Sequence, residues 1–180
     1  MGLTAEQVAN DFSISREDQD KFAFESHQKA IKAISDNKFQ SQIVPIEVSE
    51  TFINENGIKS SKSYTVNKDE GPRPDTSIEI LNKLRPVFAQ NGSVTAGNSS
   101  QMSDGAAFVV VMSEKMVNDL NIDPIAKFVN YAVAGVPPKI MGIGPVKAIP
   151  KVLKLSNLQI SDIDLIELNE AFSSQSLAVI

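Results

Sequence analysis

Between Ile160 and Ile180 the chain changes its hydrophobic period within a single residue, and no other stretch restricts the fold as much. Ile163, Leu165, Ile166 and Leu168 form an apolar run of strand length, opened by Asp162 and Asp164. From Asn169 onward, Glu170-Ala171-Phe172-Ser173-Ser174-Gln175-Ser176-Leu177-Ala178 predicts a helix. A strand passing straight into a helix predicts an α/β unit. It sets Asn169 at the carboxyl end of a strand, where open α/β sheets gather ligands. Asn169 has a plainer reading too. Asn is a favoured N-cap, and Glu170 in a first turn complements the helix dipole, so both residues can be purely structural.

Composition narrows the classes. The 180 residues suffice for one large domain or two small ones, and 42% hydrophobic residues supply a core. A net charge of −5 and a pI near 4.9 leave no basic footprint, so nucleic acid is not expected as a partner. No apolar stretch approaches the ~18 residues of a membrane span, and Met1 to Glu6 has neither part of a signal peptide. A cytoplasmic protein without membrane contact is expected. The chain has no Cys and one His, His27. Thiolate metal sites, disulfides and a cysteine nucleophile are excluded from these residues, and no metal site is expected.

In chain order, Thr4 begins a short helix that Asp11 to Ile14 breaks. Ser15 caps a second helix, over 16–35, with Asp18 three residues on. His27 lies beside that helix's apolar stripe of Phe24, Ile31 and Ile34, with no acid at relay spacing, and reads as structural. Ile43–Val48 predicts an edge strand because of Pro45. Asn56-Gly57 then predicts a hairpin that ends at Ser63–Val66. Asp69-Glu70-Gly71-Pro72-Arg73-Pro74 is a rigid loop. Thr76 caps a helix over 78–84. The Gly/Ser-rich stretch from Gly92 to Gly105 permits close backbone approach to a ligand. It precedes a buried-type strand over 106–112, a helix near 114–120 and a strand over 126–133. Pro145 opens a helix that reaches about Leu155, bends at Pro150 and closes at Asn157. Strand, helix, strand over the last sixty residues predicts a right-handed βαβ crossover.

Taken together, these motifs resemble the thiolase family along essentially the whole chain. Asn169-Glu170-Ala171-Phe172 matches the family's Asn-Glu-Ala-Phe motif. Thr95-Ala96-Gly97-Asn98-Ser99-Ser100 with Ser103-Asp104-Gly105-Ala106-Ala107 matches the CoA-side signature, and Gly135 to Pro145 matches the loop between them. Gln101 and Ser103, with Asp69-Glu70-Gly71 and Met141 to Pro145, are more similar to degradative 3-ketoacyl-CoA thiolases of fatty acid β-oxidation than to biosynthetic acetoacetyl-CoA thiolases.

The resemblance implies an α/β protein: the layered α-β-α-β-α thiolase fold, incomplete, with mixed sheets and an α+β loop domain. Residues 1–100 would be a CoA-binding loop domain, 101–120 the last strand and helix of the first core domain, and 121–180 the start of the second. It implies thiolytic cleavage of 3-ketoacyl-CoA to acetyl-CoA and a shortened acyl-CoA, with CoA as substrate and no cofactor. Asn169 would fix the oxyanion-hole water, and Ser100 would touch the pantetheine arm. Arg73 would lie by the nucleotide end, and Phe88, Ala96, Met141 and Phe172 would line the tunnel. The family's nucleophilic Cys segment would precede Met1, and its Gly-His-Pro and Cys-Gly-Gly segments would follow Ile180. The expected partners are CoA thioesters and either further copies or the missing segments. A CoA-binding module without catalysis and a structural remnant are the alternative readings. The apolar runs at Val109–Val111 and Leu165–Leu168 predict open strand edges, and so a chain that is stable only with a partner.

Overall fold

A computed structural model describes all residues from Met1 to Ile180. Helix α1 spans Gly2–Asp11 and α2 spans Arg16–Ser35. The Ser15 hydroxyl accepts from the Asp18 amide and donates to its carboxylate at 2.6 Å, so the expected cap is formed. Strands β1 (Ile46–Ile53) and β2 (Lys59–Val66) pair antiparallel, Ile46 opposite Val66 and Ile53 opposite Lys59. The Asn54 side chain accepts from the Asn56 and Ile58 amides, and Gly57 takes the left-handed φ of 74° that the turn requires. The strand thus begins at Ile46 rather than Ile43, since Pro45 has no N–H to offer the ladder.

Helix α3 covers Ile78–Asn82, and its cap is Ser77, not Thr76: the Ser77 hydroxyl receives the Ile80 amide. Helix α4 runs over Glu114–Leu120, as expected, and α5 over Gly144–Ser156, with Asn157 left-handed at its end. Pro150 is accommodated inside α5. Helix α6 spans only Ser173–Val179.

Three expected strands are absent. Residues 106–112, 126–133 and 163–168 carry no ladder, so the βαβ crossover is not built, and the only sheet is the hairpin. A strand exists through hydrogen bonds to a neighbour, and these 180 residues contain no neighbour for any of the three. Most of their side chains face water: Phe108 is 97% exposed and Leu165 77%. No helix is long and apolar enough to cross a membrane.

The packed region gathers α1, α2, α3, α6, the one-turn helix Ala96–Asn98 and the turn Pro138–Ile143. α1 lies against α6 and that turn, while α2 lies against α3 and α6. Ten of the eighteen buried residues are polar or charged, so hydrogen bonds fix this region as much as apolar packing does.

Candidate functional site

The Gly/Ser-rich loop is held from below by side chains of the first two helices. Glu6 of α1 accepts from the Ser93 and Val94 amides at 2.9 and 3.0 Å. Gln19 of α2 donates to Ser93 Oγ at 2.9 Å. Asn98 ties the loop to itself and to α2. Its Oδ1 receives the Thr95 amide at 2.8 Å, and its Nδ2 donates to Asp20 Oδ1 at 2.9 Å and to the Ser93 carbonyl at 3.1 Å. Asp20 is fully buried and carries the charge of Arg16 at 2.8 Å. Arg16 in turn donates to the Leu81 and Leu84 carbonyls, the unsatisfied end of α3. The buried charge of Asp20 is thus paired and hydrogen-bonded, the condition for burying one at acceptable cost, whereas Glu6 is met by two backbone amides and the Ser93 hydroxyl.

From this anchored loop Ser99 forms an antiparallel bridge to Phe172, and the Ser100 amide donates to the Ala171 carbonyl at 2.9 Å. The loop and the Asn169–Phe172 segment are therefore one surface, although about seventy residues separate them in sequence. Beside that surface opens a cavity of about 280 Å³. One wall comes from α1 through Thr4, Ala5 and Val8 together with Met1, and a second from Met141, Gly142 and Pro145. Leu168, Asn169, Ala171, Phe172 and Gln175 complete it.

Three of the seven expected site residues, Asn169, Met141 and Phe172, meet in this cavity. Phe88 joins them edge-on, its ring 6.1 Å from that of Phe172 at an interplanar angle of 80°. The Phe88 ring also lies on Gly2, where a Cβ would come within 2.2 Å of it. Ser100 borders the site through its bond to Ala171. Ala96 sits exposed in the one-turn helix just before it. Arg73 lies outside the cavity lining, on the surface. It forms a two-point pair with Asp75 (3.1 and 3.3 Å), and its amide donates to His27 Nδ1 at 3.2 Å.

The cap reading of Asn169 does not hold. α6 starts at Ser173, Phe172 occupies the cap position, and no side chain caps the helix. Asn169 is exposed at the cavity instead. Glu170 is likewise no first-turn acid: it accepts the Ser26 hydroxyl of α2 at 2.6 Å. The bridge to Ser99 keeps Phe172 extended and so delays the helix.

His27 is structural in its geometry, as its sequence context suggests, but it is not isolated. Burial first and the Arg73 guanidinium second lower its pKa from the ordinary value, and Asp75 and Glu170 partly oppose them. Both acids are remote in sequence, and for that reason α2 alone gave no sign of them. Sequence reasoning also missed Gln175, Thr4 and Glu6. Glu6 looked like any first-helix acid. Gln175 is masked by a run of small polar residues, and only its burial marks it out.

With this geometry in place, comparisons with known proteins become specific. Residues 1–115 match the family model of the thiolase N-terminal domain, and residues 122–180 that of the thiolase C-terminal domain. The chain is 54% identical over 180 residues to the 3-ketoacyl-CoA thiolase of Bacillus subtilis (strain 168), covering 100% of this chain and 46% of that relative. It superposes on the crystal structure of the Bacillus anthracis acetyl-CoA acetyltransferase with a TM-score of 0.90 and 46% identity, over 99% of this chain and 43% of that one. The dimeric peroxisomal thiolase of Saccharomyces cerevisiae gives a TM-score of 0.86 and 44% identity, over 99% and 42%. The chain spans less than half the length of these relatives.

Proposed function

Because the chain belongs to the thiolase family, we propose that it forms the CoA-facing wall of a 3-ketoacyl-CoA thiolase of the degradative type. The observation that carries this reading is the cavity in which Asn169, Met141 and Phe172 converge, walled by parts of both matched halves. Its lining is mainly apolar with a few amides, which suits an acyl-pantetheine arm threading between hydrophobic walls. Phe88 and Phe172 grip that arm, while Ser100 and Ala96 border it. Arg73 faces the nucleotide end and exchanges Asp75 for phosphate oxygens, which a guanidinium binds in the same forked geometry. Asn169 orients the water that faces the thioester oxygen. An amide suits this task because it does not titrate. Residues 1–100 act as the CoA-binding loop domain, 101–120 as the end of the first core domain and 121–180 as the start of the second.

The degradative assignment rests on the resemblance of Gln101, Ser103, Asp69-Glu70-Gly71 and Met141 to Pro145 to that subtype; Gln101 lies over Gly71, so close that a Cβ there would stand 2.9 Å from its Nε2.

Thiolysis proceeds through an acyl-enzyme on a Cys that a His activates, and the chain holds no Cys. Within these 180 residues the function is to bind and orient, and the nucleophile has to come from elsewhere. A CoA-binding module without catalysis fits the same observations, and one experiment separates the readings. The pure chain is titrated calorimetrically with CoA, then assayed for cleavage of acetoacetyl-CoA alone and with a second polypeptide that supplies the family's Cys and His segments. Saturable binding without turnover is expected for the chain alone, with turnover appearing on complementation. Binding that never leads to turnover supports the module. Turnover by the chain alone refutes both.

A further inference from the structure

Gln175 is 7% exposed, yet its amide is unused. Oε1 is buried without a partner, while Nε2 bonds to no protein group and stays within reach of solvent at the cavity. A buried amide oxygen left unpaired is costly, and native structures seldom leave one so without a reason. On one side of it Ser174 donates to the Ala5 carbonyl at 3.0 Å, which fixes α6 against α1, while on the other the Ser176 hydroxyl is buried without a partner as well. Gly142 makes the position possible. A Cβ on Gly142 would fall 2.7 Å from Gln175 Cγ, so the glycine lets the glutamine stem pass and its head reach the cavity. Asn169 stands in the same lining, so two amides on either side of Phe172 face one space.

We propose that Gln175 is a further ligand-positioning residue of this site: its Nε2 donates to a carbonyl oxygen of an acyl-pantetheine arm and fixes how far the arm enters. The inference rests on the CoA reading above and adds the group that sets the depth of insertion. The chemistry is narrow. The cavity is otherwise apolar apart from Thr4 and Asn169, so an entering amide or thioester carbonyl that met no donor would lose its hydrogen bond to water uncompensated. Gln175 Nε2 supplies that donor.

The test divides CoA into its two halves. Pantetheine and 3′,5′-ADP are titrated separately into the full chain and into Gln175→Met and Gln175→Glu, with circular dichroism confirming equal helix content. Met keeps the length and removes both polar atoms, and Glu keeps the shape but puts an oxygen where the donor stood. For both variants the expected result is a pantetheine Kd raised about three- to tenfold, the worth of one hydrogen bond, with 3′,5′-ADP unchanged. Equal losses for the two halves would mean a structural role and overturn the proposal. So would unchanged pantetheine binding in Gln175→Met, or wild-type binding in Gln175→Glu, which would give the role to an acceptor. A wild-type chain that binds neither CoA nor pantetheine sinks the functional reading and this inference together. Normal CoA binding that the variants do not alter sinks this inference alone.

Discussion

Asn98→Ala should unlock the Gly/Ser-rich loop from the helices beneath it. Asn98 is 2% exposed and makes three bonds: from the Thr95 amide at 2.8 Å, to the Ser93 carbonyl at 3.1 Å and to Asp20 Oδ1 at 2.9 Å. The first two are neutral, each worth about 1 kcal/mol, and the third, to a carboxylate, is worth about 1.5–3 kcal/mol. Asp20 keeps Arg16, so its charge is not orphaned, and the loss should come to about 3–5 kcal/mol. Amide hydrogen exchange by NMR reads this locally. Exchange at the Thr95 amide should quicken by about a hundredfold to a few thousandfold, at one decade per 1.4 kcal/mol. Amides of the β1–β2 hairpin, which stands apart from the network, should keep their rates. Asn98→Asp is the sharper variant: it retains the acceptor for Thr95 but sets a second carboxylate against Asp20. At pH 7 it should be worse than Ala and should recover on acidification, as the two acids come to share a proton. Thr95 exchange within threefold of wild type in Asn98→Ala, or wild-type behaviour of Asn98→Asp at pH 7, would refute the reasoning.

His27 is the only histidine, so its single imidazole resonance titrates without ambiguity and should show a midpoint below the ordinary 6.5. The fold favours the neutral ring, so the contribution of His27 to stability is complete above 6.5. It is lost as pH falls through that value towards the lower folded one, and a midpoint at or above 6.5 would contradict this. Gly142→Ala must push Gln175 aside and should weaken CoA binding at the cavity; unchanged affinity would show that the cavity is not the arm's path. In a complemented enzyme, Asn169→Ala should cut kcat by about a hundredfold or more, whereas a loss of thermal stability alone would rule out the oxyanion role. Light scattering should find the chain in complexes or larger assemblies, and a compact 19.5 kDa monomer with a cooperative melt would count against any need for a partner.

Local signals decided what the sequence disclosed. Ser15 with Asp18, Asn56-Gly57 and Asn157 after α5 act within four residues of themselves, and each did in the fold what its chemistry predicts. Apart from Thr76, which lost the cap of α3 to its neighbour Ser77, the signals that failed were those that need a distant partner. The valines of 109–111 have the composition of a buried strand, but composition does not provide the strand beside it. Asn169 failed as a cap for the opposite reason, because a distant partner is present: Ser99 pairs with Phe172 and holds the chain extended where local preference begins a helix. The proposed site divides the same way: Asn169, Met141 and Phe172, named from motifs, meet in one cavity, whereas Glu6, Gln175 and the acids around His27 owe their positions to packing.

The balance of buried groups says what the chain still needs. Its accessible surface is 14301 Å², about 1.7 times the ~8,500 Å² of a compact monomer of this mass. Phe108, Val109, Val110, Val111, Phe128, Val129, Leu165 and Ile166 all lie in water. Burying a side chain of this kind contributes about 1.5–3 kcal/mol, so these eight alone represent roughly 12–24 kcal/mol. That equals or exceeds the ~5–15 kcal/mol net stability of an ordinary domain. The residues that are buried are mostly polar, and their bonds strengthen as water is excluded. A surface that covered the three extended runs would therefore supply the hydrophobic term that the polar core does not, and a covering partner should raise the midpoint and the cooperativity of the thermal melt.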